Sequence, residues 1–73
     1  KYYTLTALDI SNKYITLVNL PVNPDEVDVY IYNGVNQQVD VDFVIIGNHL
    51  SWDGLAMELL VVEGSRIFVT YDI

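Results

Sequence analysis

Few residues in this chain are of types that make or break bonds. It has one histidine, His49, no cysteine, and one close pair of carboxylates, Asp40 and Asp42. A general base needs a partner to orient it and a pocket to receive substrate. His49 follows a Gly-Asn turn in a strand-like segment and has neither by sequence, so it reads as an exposed side chain near a turn. Asp40 and Asp42 stand two apart, and in a strand they would share a face with roughly 6–7 Å between their Cα atoms. That spacing would serve paired-carboxylate catalysis or a calcium site. The flanking residues lack the Asp-x-Asp-x-Asp-Gly run and distal Glu of a calcium-binding loop, so a solvated outward face is the reading adopted. No Gly-x-Ser-x-Gly elbow and no Gly-rich loop leading to a Lys is present. Without Cys, disulfides and thiolate zinc sites are closed as well. The expectation is a non-enzymatic chain with no cofactor and no metal, whose chemistry is binding.

The residues suited to binding are aromatic and amide side chains. Trp52, beside Asp53-Gly54, could stack on a sugar ring, although a Trp at a strand end commonly packs in a core or an interface. Asn36, Gln37 and Gln38 could offer amide hydrogen bonds to a glycan or a neighbouring subunit. Trp52, Tyr30, Tyr32, Phe68 and Gln37 are the candidate interface residues. Composition supports this emphasis: apolar residues form 52% of the chain, mean hydropathy is +0.30, and there are six Tyr, two Phe and one Trp. A chain of 73 residues buries only about 60–65% of the surface its unfolded form exposes. Its core rarely supplies more than about 3–5 kcal/mol of net stability. Some aromatic surface must therefore stay outside, and surplus apolar surface argues for assembly, with copies of itself or with a larger structure.

The net charge is −7, and no Lys or Arg occurs between Tyr14 and Ser65, where Asp25, Glu26, Asp28, Asp40, Asp42, Asp53, Glu58 and Glu63 all fall. Such a surface repels phosphate backbones and anionic lipid, so neither nucleic acid nor membrane is expected as a partner. The carboxylates keep an apolar β-protein soluble and blunt its edge strands. Docking on a basic patch of a partner is their sharper use. No run approaches the ~18 apolar residues of a membrane span, and no signal peptide is visible. The first residue is Lys1 rather than Met, which reads as a piece of a longer polypeptide or a processed chain.

The elements that must position these residues are short strands. Apolar and polar residues alternate with a period of two through Val27–Trp52, punctuated by Asn33-Gly34 and Gly47-Asn48, the pattern of antiparallel strands joined by tight turns. Strands are expected over Tyr2–Thr6, Tyr14–Val18 and Val27–Tyr32, with a turn or single helical loop over Ala7–Lys13. Asn19–Glu26, with Pro21 and Pro24, reads as an extended connection. Asn33-Gly34 is expected to form a two-residue hairpin turn at positive φ, followed by an edge strand or loop over Val35–Gln38. Val39, Val41, Phe43 and Ile45 are assigned one strand face and Asp40 and Asp42 the other. His49–Trp52 runs back, and Leu55–Leu60 is read as a turn entering a brief strand despite its helix formers. Arg66–Ile73 closes the chain, with Ile67, Val69, Tyr71 and Ile73 inward and Arg66, Phe68, Thr70 and Asp72 outward. The result is a single all-β domain over 1–73, a compact antiparallel β-sandwich or partly closed barrel of about seven short strands.

The order Val-Tyr-Ile-Tyr-Asn-Gly-Val-x-Gln, then Val-Asp-Phe-x-Ile-x-Gly-Asn-x-Leu-x-Trp, then Glu-Gly-x-x-Ile-x-Val-x-Tyr resembles a small β-module that recurs in tailed-bacteriophage virion proteins. The match covers nearly the whole chain and rests on Asn33-Gly34, Gln37, Asp42-Phe43, Gly47-Asn48, Gly64 and Tyr71. Two positions depart from the pattern: Gln38-Val39 replaces a Pro-Gly, and Ser65 stands where Asp is common. Both are turn positions. The resemblance implies a virion component: a head decoration or cement protein, a head or tail fibre anchor, or a piece of a baseplate or adaptor. Its partners would be other capsid or tail proteins and further copies of itself, and its location the virion. The alternative is a tail fibre or baseplate module that recognises host glycans through Trp52 and exposed tyrosines. A hydrolase using Asp40 and Asp42 is the third and weakest reading.

Overall fold

A computed structural model describes residues 1–32, 34 and 36–72. Among these, seven strands form two antiparallel sheets that are not closed into a barrel, a small β-sandwich. The first sheet has the order β1-β7-β3-β4, from Tyr2–Thr4 (β1), Arg66–Thr70 (β7), Asp28–Ile31 (β3) and Asn36–Gln37 (β4). The second has the order β2-β6-β5, from Tyr14–Thr16 (β2), His49–Ser51 (β6) and Val44–Ile46 (β5). Alternation does what the sequence predicts in the strands. Ile67 and Val69 of β7, Val29 of β3, and Ile15 and Leu50 of β2 and β6 point between the sheets and are buried. The loops complete the core with Leu5, Leu17, Val27, Phe43, Trp52, Met57 and Val61.

Two tyrosines of the first sheet tie down the segment leaving β2. The Tyr3 hydroxyl accepts a hydrogen bond from the Val18 N–H and the Tyr71 hydroxyl one from the Asn19 N–H, each 3.2 Å. Tyr71 is inward and half-buried, as its place in the closing strand predicts, although β7 itself ends at Thr70. Ile73 lies outside the described residues.

The expected helical loop is a six-residue helix, α1, Ala7–Asn12. Its start is written in Thr6-x-x-Asp9: Thr6 Oγ1 accepts from the Asp9 N–H at 3.2 Å and Asp9 returns a bond to the Thr6 N–H at 2.9 Å, a reciprocal cap. Its end is Lys13, in the left-handed region at φ 65°.

Three expectations are corrected. Val39–Phe43 is not a strand. Asp40 adopts φ 66°, its N–H reaches the Phe43 carbonyl at 2.7 Å, and the Asp42 carboxylate accepts from the Gln38 N–H at 2.7 Å. This tight loop leaves Val41 exposed while Phe43 is buried, so Asp40 and Asp42 do not share a strand face. A carboxylate able to satisfy a nearby backbone donor competes with the ladder, and here it wins. Leu55–Leu60 is likewise no strand. Ala56–Leu59 forms a 3-10 turn that buries Met57, whose N–H donates to the Asp42 carbonyl at 3.1 Å and locks the two loops together. Helix propensity decided that segment. The Glu58 carboxylate accepts from the Gly54 N–H at 2.8 Å, and this bond, with Lys13 beside it, holds the acid below its ordinary range.

The third correction concerns register. Gly47-Asn48 does form a two-residue hairpin, with Ile46 opposite His49 and Gly47 at φ 62°. A two-residue turn at Asn33-Gly34 would set Tyr32 opposite residue 35 and Tyr30 opposite Gln37. Instead Tyr30 faces Asn36 and Val29 faces Gln37. Asn33 and Val35 themselves lie outside the described residues. A slip of one residue turns every side chain of a strand to the other face, so β4 presents Asn36 outward and Gln37 inward.

Two predictions follow from this packing. Phe43→Ala, at a fully buried position, removes about 3–5 kcal/mol, comparable to the whole stability available to a domain of this size; circular dichroism should show no cooperative thermal transition. Burial lifts the Tyr3 phenol above its ordinary value of 10.0. The unfolded chain therefore loses that proton first, so this contribution is complete below about pH 10 and declines as pH rises toward the folded-state value. Denaturant midpoints should fall above about pH 10, and Tyr3→Phe should flatten the fall.

Candidate functional site

The outward halves of β1, β7 and β3 bring aromatic side chains into one cross-strand row. Tyr2 lies opposite Phe68, Phe68 opposite Tyr30, and Tyr30 opposite Asn36, so the row crosses all four strands. The Tyr2 and Phe68 ring centroids are 4.7 Å apart at a tilt of 46°. Tyr32 follows two residues after Tyr30, and its N–H donates to the Arg66 carbonyl at 2.9 Å. The Arg66 guanidinium carbon sits 5.2 Å from the Tyr2 ring centre and 5.5 Å from that of Tyr32, a cation held between two aromatic faces.

Much of this row stays in water: Tyr2 is 58% exposed, Tyr32 50%, Tyr30 40% and Phe68 36%. Together the four residues expose on the order of 400 Å². That matches the largest patch of a typical monomer, which is often functional. Other exposed apolar residues, such as Leu20, Val22 and Leu59, sit on connections rather than on a sheet face.

Charge is distributed unevenly around the row. Among the described residues the ion pairs all belong to Lys13, with Asp53 at 3.7 Å and Glu58 at 3.5 Å. Arg66 faces rings instead of a carboxylate. At the opposite end of the same face, Asp28 pairs across to Thr70. Both line a depression of ≈ 500 Å³ with Asp25, Glu26, Tyr71 and Asp72. The face therefore runs from a cation at one end, over aromatic rings, to carboxylates at the other.

Of the five residues the sequence singles out, the fold gathers three, Tyr30, Tyr32 and Phe68, on this surface. Two are corrected. Trp52 is 1% exposed and fills the core, because β6 delivers it inward and its N–H donates to the Lys13 carbonyl at 3.0 Å. Gln37 is 6% exposed because of the register of β4. The ring that sugar stacking at Trp52 would use is thus not presented. Tyr2 and Arg66 complete the surface and were not singled out. The signal for Tyr2 was its place in an alternating segment, and that for Arg66 its position two residues before Phe68.

The residues weighed for catalysis are separate from this face. His49 stacks on Tyr14 on the second sheet, centroids 4.6 Å apart and 14° from parallel. Asp40 and Asp42 belong to the tight loop before β5, and among the described residues no group of three or more His, Asp or Glu is placed to hold a metal ion. Comparison with known protein families, curated proteins and solved structures gives no match to this chain.

The row should be dispensable for folding. Tyr30→Ser and Phe68→Ser each remove a side chain that is more than a third exposed and should shift stability by about 1 kcal/mol or less. Urea unfolding checks this; a loss as large as that of Phe43→Ala would mean that the rings serve the core.

Proposed function

We propose that this chain is a non-enzymatic structural module of a tailed-bacteriophage particle, a capsid decoration, cement or fibre-anchoring unit that binds other virion proteins. The observation that carries the reading is the outer face of the four-stranded sheet: Tyr2, Phe68, Tyr30 and Tyr32 around Arg66, on a domain with a small interior. The resemblance of the strand-and-turn order to virion β-modules supports it, and so does the sandwich those turns build. The chemistry is attachment. Aromatic rings supply large contact area at low entropic cost, and burying apolar surface contributes about 25 cal/mol per Å². Arg66, already stacked between two rings, adds a directional contact for an acceptor on the partner.

The reading predicts that mass spectrometry of purified particles finds the chain at a fixed ratio to the major virion proteins. It also predicts that a Tyr30→Ser/Phe68→Ser variant, folded by circular dichroism, is depleted at least about tenfold from particles, as expected when two interface anchors are lost. Absence of the wild-type chain from particles, or full retention of the variant, would overturn it.

A further inference from the structure

The charge layout on the aromatic face says what can cover it. Along β7 the outward residues run Arg66, Phe68, Thr70, and along β3 they run Tyr30, Asp28 in matching register, with Tyr32 just past the strand and its N–H on the Arg66 carbonyl. The Phe68–Tyr30 pair is the midpoint, with Arg66 two residues to one side and Asp28 two residues to the other. Each is about 6–7 Å of strand from the midpoint. Asp25, Glu26 and Asp72, around the same depression as Asp28, deepen the negative end. The face is thus complementary to itself when turned end for end, although the chain as a whole carries −7.

We propose that the occupant of this face is a second copy of the chain, packed face to face about a two-fold axis lying along the Tyr2–Phe68–Tyr30–Asn36 row. That axis reverses the strand direction of the mate's four-stranded sheet relative to the first copy's. The rings of each copy pack on those of the other, and Arg66 of each lies over the Thr70–Asp28 end of its mate. Such an isologous contact forms the charge pairing twice from one surface. Sheets stack face to face about 10 Å apart, a gap that tyrosine rings from both sides fill.

Area bounds the strength. Four strands spaced about 4.8 Å apart and up to five residues long cover roughly 300 Å² of flat sheet per copy. Their four rings expose on the order of 400 Å², so the pair buries on the order of 800 Å², the size of a weak and transient contact. The dimer is accordingly weak, in the micromolar to sub-millimolar range. The net charge of each copy opposes long-range approach, but beyond about 8 Å this is screened at physiological salt.

The inference rests on the reading of this face as a docking surface, and charge reversal tests the second copy separately. Sedimentation equilibrium of the wild-type chain at tens to hundreds of micromolar should show reversible dimerisation. Asp28→Arg sets a cation opposite the mate's Arg66 at each contact, and Arg66→Asp sets a carboxylate opposite the mate's Asp28. Each alone should weaken self-association by roughly tenfold or more, because like charges then meet twice. Mixing the two variants should restore a dimer, now of one copy of each, and the Asp28→Arg/Arg66→Asp double variant should dimerise again by itself. A variant that did not fold could not be rescued by mixing, so rescue certifies both chains. A wild-type chain monomeric at the highest concentration, or no rescue in either form, overturns the proposal. If the aromatic variants are still lost from particles in that case, the face docks a different virion protein and only the second copy is excluded.

Discussion

The pairing of β7 between β1 and β3 is the contact on which the rest of the molecule depends. Arg66–Phe68 of this strand pair with β1 and Ile67–Thr70 with β3, and the strand's alternation divides the protein in two. Ile67 and Val69 enter the space between the sheets, while Arg66, Phe68 and Thr70 face outward and set the register of their neighbours. Because Tyr2 and Tyr30 both pair with Phe68, one strand aligns the aromatic row and the core layer beneath it. A one-residue slip of β7 would exchange the two sets, exposing two aliphatic core residues and burying a guanidinium.

The thinness of the core explains how much of it comes from loops. Two sheets of three and four short strands cannot cover each other alone, so Phe43, Trp52 and Met57 arrive from connections and are as buried as any strand residue. Their backbones are held by bonds between loops: the Met57 N–H to the Asp42 carbonyl and the Trp52 N–H to the Lys13 carbonyl. The tyrosine hydroxyls of Tyr3 and Tyr71 add two bonds to the exit of β2. Backbone groups outside the ladders are satisfied by such bonds between segments, which supports a core drawn largely from connections.

The acidic character of the chain and its aromatic face are complementary features. Carboxylates lie on loops and at sheet ends, where they cap turns or pair with Lys13. The centre of the four-stranded sheet carries rings, with one arginine at the end of the row of outward residues on β7. Like-charged surfaces keep unwanted contacts weak, and the rings between Arg66 and Asp28 are the part of the sheet face with the least like charge. Asp40 and Asp42 sit together in the tight loop before β5, whereas His49 stacks on Tyr14 on the second sheet.

Legibility in the sequence followed the range of the forces involved. Strand alternation and the Gly-Asn turn are local, and they carried the fold class, the strand count, the small helix, the inward set of β7 and the surplus of aromatic surface. Asp40 and Asp42 alternate with apolar residues as in a strand, yet a side chain to backbone bond within the loop outweighed the period. Leu55–Leu60 followed its helix formers into a 3-10 turn that buries Met57. Asn33-Gly34 marked a hairpin correctly, but its register was set by the pairing of β3 with β4, and that one step turned Gln37 inward. Trp52 could be core or surface until β6 had a sheet to join. From its sequence alone the chain determined that it would be a β-protein with rings left over. Which rings, on which face and beside which charge, was decided only when distant strands met, because pairing register is a property of two segments and belongs to neither.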